Sequence, residues 1–315
     1  MYATRADLQS AAFNHSATPP GTPAQLRLTP LSLAVRRGFD TQFSSARNGL
    51  IMTKHNPRNR SNSSGFKAAK REQNRGPDGG PVWLWGQHAV AAALANPKRQ
   101  KQRLVATRNA AQRLGELANG AEDFSPKDLD RLLPPGAVHQ GIAGLFEPLS
   151  AVTIEDVTEA GIARVVILDQ IQDPHNLGAI FRSAAAFGFG ALVLQTRHSP
   201  PVTGIVAKSA AGAIETVLEC RVVNIARALD ALSDAGYHSV GLAGSGRATI
   251  EQAVRGAAKV AVVMGAEGPG LRPGVAKACA ELAHIPIQAD MESLNVSNAA
   301  AIAFYEAARG TKEIS

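Results

Sequence analysis

Residues 164–187 read RVVILDQIQDPHNLGAIFRSAAAF, and the fold turns on this stretch. Its first five residues are almost wholly apolar, a polar turn follows, and residues 177–187 carry a helical pattern. A short apolar run without alternation reads as a strand buried on both faces, the condition of a strand in a parallel sheet. The same alternation continues along the chain. Strands are expected at 191–194, 217–223, 238–243, 260–264 and 284–287, and helices at 202–210, 225–235, 275–280 and 296–308. The expected fold is therefore α/β, with a mainly parallel sheet covered by helices on both faces.

Three strand exits in this pattern are polar, and the second is also glycine-rich: LDQIQDPHN at 168–176, MGAEGPGLRP at 264–273 and IQADMESLNVSN at 287–298. Open α/β sheets bind ligands beyond the carboxyl ends of their strands, so three such exits imply one composite site. Its candidate residues are Asn176, Arg182, Glu267, Ser293 and Asn295. Asn176 reads as a helix N-cap. Gly178, Ser183 and Ala184 would let another backbone approach closely. Glu267 is a carboxylate set among glycines beyond a buried strand. Ser293, Asn295 and Ser297 precede a helix that is apolar nearly all round, which predicts that this helix is buried. Lys208 and Ser209, in AKSAAGA, fall at a helix end near the site.

Several chemistries lack their residues. Neither GAEGPG nor GLAGSGRA (241–248) supplies the lysine and hydroxyl of a P-loop, and neither matches a dinucleotide fingerprint. There is no G-x-S-x-G elbow. The eight histidines and two cysteines show no metal-ligand spacing, so no metal site is expected. Two separated cysteines suggest a reducing, cytoplasmic setting rather than a disulfide framework. No apolar run is long enough to span a bilayer, so no membrane partner is expected.

Of the 33 Lys/Arg and 26 Asp/Glu in the chain, residues 1–80 hold 12 and 4. The net charge of +7 thus belongs to the amino-terminal extension, which reads as a disordered basic arm. Its first fifty residues fit an organellar transit segment. They equally fit a start placed too early, with Met52 as the initiator, and the second reading is favoured because Met52 opens a continuous basic arm. Order begins near Trp83. A small α/β domain is expected over 81–150, with helices at 86–99, 110–118 and 125–136, a strand at 103–108, and a turn into an edge strand over 138–149. A linker follows at 151–160, and the larger domain occupies 161–315. Lys98, Arg99, Lys101, Arg103, Arg108 and Arg113 lie in a stretch without acids and form a candidate phosphate-tracking patch.

Taken together and in order, N-x-G-x-x-x-R-S (176–183), M-G-x-E-G (264–268) and S-L-N-V-S (293–297) resemble the three motifs of the SpoU (TrmH-type) family of RNA ribose 2′-O-methyltransferases. GQHAVAAAL (86–94) and VHQGIA (138–143) resemble the substrate-binding domain of its 23S rRNA guanosine branch. The resemblance covers 83 to about 310 and implies a SPOUT-type deep trefoil knot, with an L30e-like small domain in front. It implies S-adenosylmethionine as cofactor, held at Leu194, Gly265, Gly268, Ile285, Ile287 and Leu294. It also implies a homodimer acting on ribosomal RNA, with Arg182 catalytic and held by Asn176. A tRNA ribose methyltransferase and a non-catalytic rRNA-binding or assembly factor remain as alternatives.

Overall fold

The computed structural model describes residues 80–310 apart from Ala289 and Glu292. The reading of 1–80 as a disordered arm falls, but for Gly80, outside the described residues. Two sheets organise the rest.

The smaller sheet is built from β1 (Val82–Trp85), β2 (Lys101–Ala106), β3 (Glu122–Asp123) and β4 (Ile142–Phe146), in the order β1-β4-β2-β3. Three helices join these strands: α1 (Gln87–Ala95), α2 (Arg108–Leu114) and α3 (Pro126–Leu132). Ser125 and Asp128 close a capping box at the start of α3, satisfying two otherwise unpaired helix donors. The edge strand expected over 138–149 is instead internal. Its apolar residues IAGLF pair antiparallel with β1 on one side and β2 on the other. The missed partner was β1, whose four residues VWLW are all buried.

The segment expected as a linker carries a helix of its own, α4 (Ile154–Glu159). Thr153 and Asp156 form its capping box, and Ile154 and Val157 are buried.

The larger sheet contains β5 (Arg164–Leu168), β6 (Ala191–Gln195), β7 (Leu218–Val222), β8 (His238–Leu242), β9 (Ala248–Thr249), β10 (Val260–Met264) and β11 (Glu281–His284). Its order is β7-β6-β5-β10-β8-β11-β9, and every pairing is parallel. Central β5 and β10 are buried at every position, as continuous apolar runs require. The helices are α5 (Pro174–Ala186), α6 (Gly204–Ala210), α7 (Ile225–Asp234), α8 (Ile250–Val254), α9 (Pro273–Ala278) and α10 (Val296–Gly310). One apolar cluster lies under α5, α6 and α10, and a second under α4 and α7 on the other face.

The last strand ends at His284 rather than beginning there. Pro286 has no N–H to give to a ladder, so the chain leaves the sheet and runs on as a loop. Helix α10 is not buried all round. Phe304 and Ala303 face the core, whereas Ile302 and Tyr305 are 38% and 44% exposed.

The small sheet packs on α6. The Trp85 ring lies so close to Gly204 that a β-carbon there would fall 1.9 Å from it. Arg99 and Glu215 make a bidentate ion pair, with side chains only 4% and 3% exposed.

Candidate active site

The site begins at α5. Asp173, not Asn176, caps this helix by accepting from the His175 N–H at 2.9 Å. Pro174 takes the first helical position, where a missing N–H costs nothing. Asn176 therefore sits inside the first turn, and its buried amide is free for the site. Gly178, two residues further along the same helix, meets α6. A β-carbon there would lie 2.6 Å from the Val206 carbonyl oxygen.

Strand β10 delivers Glu267 through a tight turn. Ala266 and Gly270 exchange backbone hydrogen bonds of 3.1 and 3.0 Å. Gly265 lies flat against the returning chain, with space for a β-carbon only 2.1 Å from the Gly270 carbonyl carbon. Any side chain at 265 would therefore force the turn open.

The loop after β11 delivers Asn295. Its Oδ1 accepts from the N–H groups of Ser297 (2.9 Å) and Asn298 (3.3 Å), and from the Ser297 hydroxyl (2.6 Å). Asn295 thus caps α10, a position its residue type favours. Its amide nitrogen donates to Glu267 Oε1 at 2.9 Å and to Asn176 Oδ1 at 3.1 Å. Asn176 Nδ2 donates to the same Glu267 oxygen at 2.9 Å, and the Val296 N–H approaches it at 3.4 Å. One carboxylate oxygen at the positive end of α10 thus joins the three polar strand exits.

A second tie was not read from the sequence. Asp169, fully buried at the end of β5, accepts from the Arg272 backbone N–H (3.0 Å) and from its Nε (2.8 Å). Arg272 also donates to Gln195 at the end of β6. The turn after β10 is thereby pinned to two neighbouring strands. The only sequence signal was an acid closing an apolar run and an arginine beyond the glycines.

Between these loops lies a cavity of about 960 Å³. Gly265, Gly268, Ile285, Ile287 and Leu294 line it, together with Glu267, Ser293 and Asn295. Leu242, Ala243 and Gly244, at the exit of β8, also line it. That glycine-rich run had read only as a turn. Leu194 is not brought to the cavity wall. It is fully buried in the core under α5 and α6.

Arg182 is exposed on α5, and among the described residues no hydrogen bond or ion pair holds its side chain. The expectation that Asn176 holds it is not met, because the Asn176 amide is engaged by Glu267 and Asn295. Six helical residues advance the chain about 9 Å and more than one and a half turns, so the two side chains leave different faces.

The basic patch also changes. Arg99 is consumed by Glu215 and the Glu147 carbonyl. Arg103 pairs with Glu122, and Arg108 with Asp123. The acids absent from the local sequence come from β3 and from residue 215. Lys98, Lys101 and Arg113 stay exposed, with Arg113 donating only to the Asn109 carbonyl. Among the described residues no cluster of His, Cys, Asp or Glu could hold a metal ion, and no helix is long and apolar enough to cross a membrane.

Residues 163–305 match the SpoU rRNA Methylase family, and residues 83–152 match the RNA 2′-O ribose methyltransferase substrate-binding family. The chain is 36% identical over 241 residues to the 23S rRNA (guanosine-2′-O-)-methyltransferase RlmB of Vibrio cholerae, covering 72% of this chain and 96% of that protein. It is 33% identical over 241 residues to a putative TrmH family tRNA/rRNA methyltransferase of Staphylococcus aureus, covering 73% and 96%. Among solved structures, the SpoU methyltransferase AviRb of Streptomyces viridochromogenes aligns with a TM-score of 0.65 at 21% identity, over 79% of this chain and 98% of that one. The AdoMet-bound rRNA methyltransferase of Sinorhizobium meliloti aligns with a TM-score of 0.64 at 22% identity, over 79% and 92%.

Proposed function

The chain belongs to the SpoU rRNA methylase family, and we propose on that footing that it methylates the ribose 2′-hydroxyl of a guanosine in 23S rRNA, using S-adenosylmethionine. The observation that carries this reading is the convergence of Asn176, Glu267 and Asn295 on one carboxylate oxygen beside a cavity.

The cavity suits the cofactor. Its volume lies within the range of small-molecule sites. Ile285, Ile287 and Leu294 offer apolar walls, and the Gly265–Gly270 turn offers open backbone to polar groups of a nucleoside. When bound, S-adenosylmethionine supplies a methyl group on a sulfonium, already activated for departure. The task left to the protein is to align a weakly nucleophilic hydroxyl. Alignment can contribute about 7–11 kcal/mol, against about 10²–10⁴-fold for a general base. A site without a His–Asp pair is therefore adequate.

In this reading Glu267, Asn176 and Asn295 set the positions of the three loops. Ser293, exposed at the cavity, orients the ribose. Arg182 binds the phosphate next to the target and polarises the hydroxyl. A guanidinium is a poor proton acceptor, so the proton leaves through phosphate or water. The protein acts as a homodimer, a reading supported by the exposed Ile302 and Tyr305 on α10 and by the unengaged Arg182. The loops after β8, β10 and β11 form the trefoil knot. Residues 81–150 form the L30e-like substrate-binding domain, which meets RNA through Lys98, Lys101 and Arg113; 151–160 connect it to the catalytic domain, 161–315. The setting is the cytoplasm.

The experiment is a map of ribose methylation in 23S rRNA from strains with and without the gene. One guanosine should lose its 2′-O-methyl group in the deletion and regain it on complementation. An unchanged map would reject the proposed substrate.

A further inference from the structure

Three short motifs left without a role by the catalytic cluster meet at one point. They are GQH (86–88), HQG (139–141) and KSA (208–210). The Lys208 ammonium donates to Gln140 Oε1 at 2.6 Å, and the Gln87 backbone N–H donates to the same oxygen at 3.1 Å. The lysine stem crosses Gly86 so closely that a β-carbon there would lie 2.5 Å from Nζ and 2.7 Å from Cδ. Gln140 itself is a non-glycine residue at φ 55°, followed by Gly141 at φ 84°. Strained backbone of this kind persists where surrounding structure enforces it, and it clusters at binding sites.

The charges at this junction do not balance. Elsewhere in the fold Arg99, Arg221 and Arg272 each have a carboxylate partner. Lys208 is half-buried, and its only side-chain partner among the described residues is a neutral amide oxygen. Burial alone holds its pKa below the usual lysine range. Gln87, whose backbone N–H shares the Gln140 oxygen with Lys208, also carries a buried Nε2 with no acceptor among the described residues. A cation without an anion and a donor without an acceptor describe a place for an oxyanion. The junction also adjoins the catalytic cluster. Ser209, next to Lys208, lies 3.4 Å from His175 Nδ1, and the residue after His175 is Asn176.

We propose that Lys208, with Gln87 and Gln140, forms a subsite for a phosphodiester of the substrate RNA, one that seats the strand between the small sheet and α5–α6. The proposal rests on the RNA methyltransferase reading and deepens it.

The test compares full-length wild type, Lys208→Met, Lys208→Arg and Gln140→Ala. For each, the affinity for a 23S rRNA transcript is measured across a salt series, alongside S-adenosylmethionine affinity, thermal midpoint and methyl transfer. Lys208→Met should weaken RNA binding about tenfold and lower the log–log salt slope by about one, as loss of one phosphate contact does. Cofactor affinity should not change, and Lys208→Arg should restore most of the RNA affinity. Gln140→Ala should give a smaller loss of the same sign. Unchanged RNA affinity and slope in Lys208→Met would overturn the subsite. So would a joint fall in cofactor affinity and thermal midpoint that arginine fails to repair, since that marks a packing role. If wild type binds RNA without methylating it, the methyltransferase reading falls, while the comparison between variants still decides the subsite. A wild type with no RNA affinity overturns both.

Discussion

Asn176 Nδ2 stands 2.9 Å from Glu267 Oε1 across 91 residues of chain. Asn295 reaches that same oxygen, also at 2.9 Å. The carboxylate is therefore the single point at which three strand exits are joined, and the shape of the cavity depends on it.

We predict that Glu267→Ala lowers kcat/KM for methyl transfer by about 10²-fold, the scale on which misplacement of about 1 Å acts. Cofactor affinity should fall with it, because Gly265 and Leu294 flank the joined loops. Calorimetric titration with S-adenosylmethionine, beside an assay of labelled methyl transfer, checks both. Wild-type values in each would show that the three loops hold their places without the carboxylate.

Asp169→Asn should act through the cofactor turn rather than through RNA. It removes the charge paired with Arg272 and leaves one side of that pair in place. The expected result is a raised KM for S-adenosylmethionine with RNA affinity intact. Equal loss of both affinities would point to general unfolding.

The buried Arg99–Glu215 pair should be costly to break and cheap to replace. Truncating Glu215 to alanine leaves Arg99 buried and unpaired, a loss of about 3–5 kcal/mol by the behaviour of such pairs. Replacing both residues by apolar ones of similar volume should recover much of it. Denaturant titrations of the single and double variants measure the difference.

Which of these features could be read in advance follows from how local their cause is. β5 and β10 agree with expectation residue for residue, because a nearly unbroken apolar run needs no partner to be recognised. β11 was displaced because Pro286 ends the ladder. β4 was taken for an edge because β1, its second partner, went unread. Glu267 was legible from a glycine-rich strand exit and Asn295 from a polar one before an apolar helix. The fate of Arg99 was not, since Glu215 lies 116 residues away. Nor was the freedom of Arg182 from Asn176, which depends on Glu267 and Asn295 engaging the Asn176 amide.

Both cysteines should be unreactive in the native protein. Burial pushes the Cys220 and Cys279 thiols up to about 11, which leaves almost no thiolate at neutral pH. A thiol-exchange reagent at pH 7 should label neither until denaturant is added. Rapid labelling of the folded chain would contradict this.

The α4 cap supplies a pH dependence of definite sign. Hydrogen bonds from the Thr153 backbone N–H and hydroxyl hold the Asp156 carboxyl below the usual aspartate range. A group depressed in the folded state stabilises above its unfolded pKa, about 3.9. That contribution is lost as pH falls through the folded value. Asp156→Asn should therefore melt earlier than wild type at pH 7, and the two curves should converge once the pH falls below the folded value.

The central claim is that the joined exits present a methyl donor to an RNA ribose, with Arg182 acting on the substrate. The most direct measurement is transfer of a labelled methyl group by purified wild type and Arg182→Ala to a 23S rRNA transcript, followed by nucleoside analysis. The account predicts label in 2′-O-methylguanosine alone with wild type, and loss of transfer in Arg182→Ala with cofactor affinity retained. Label on a base, or near-normal transfer by Arg182→Ala, would contradict it.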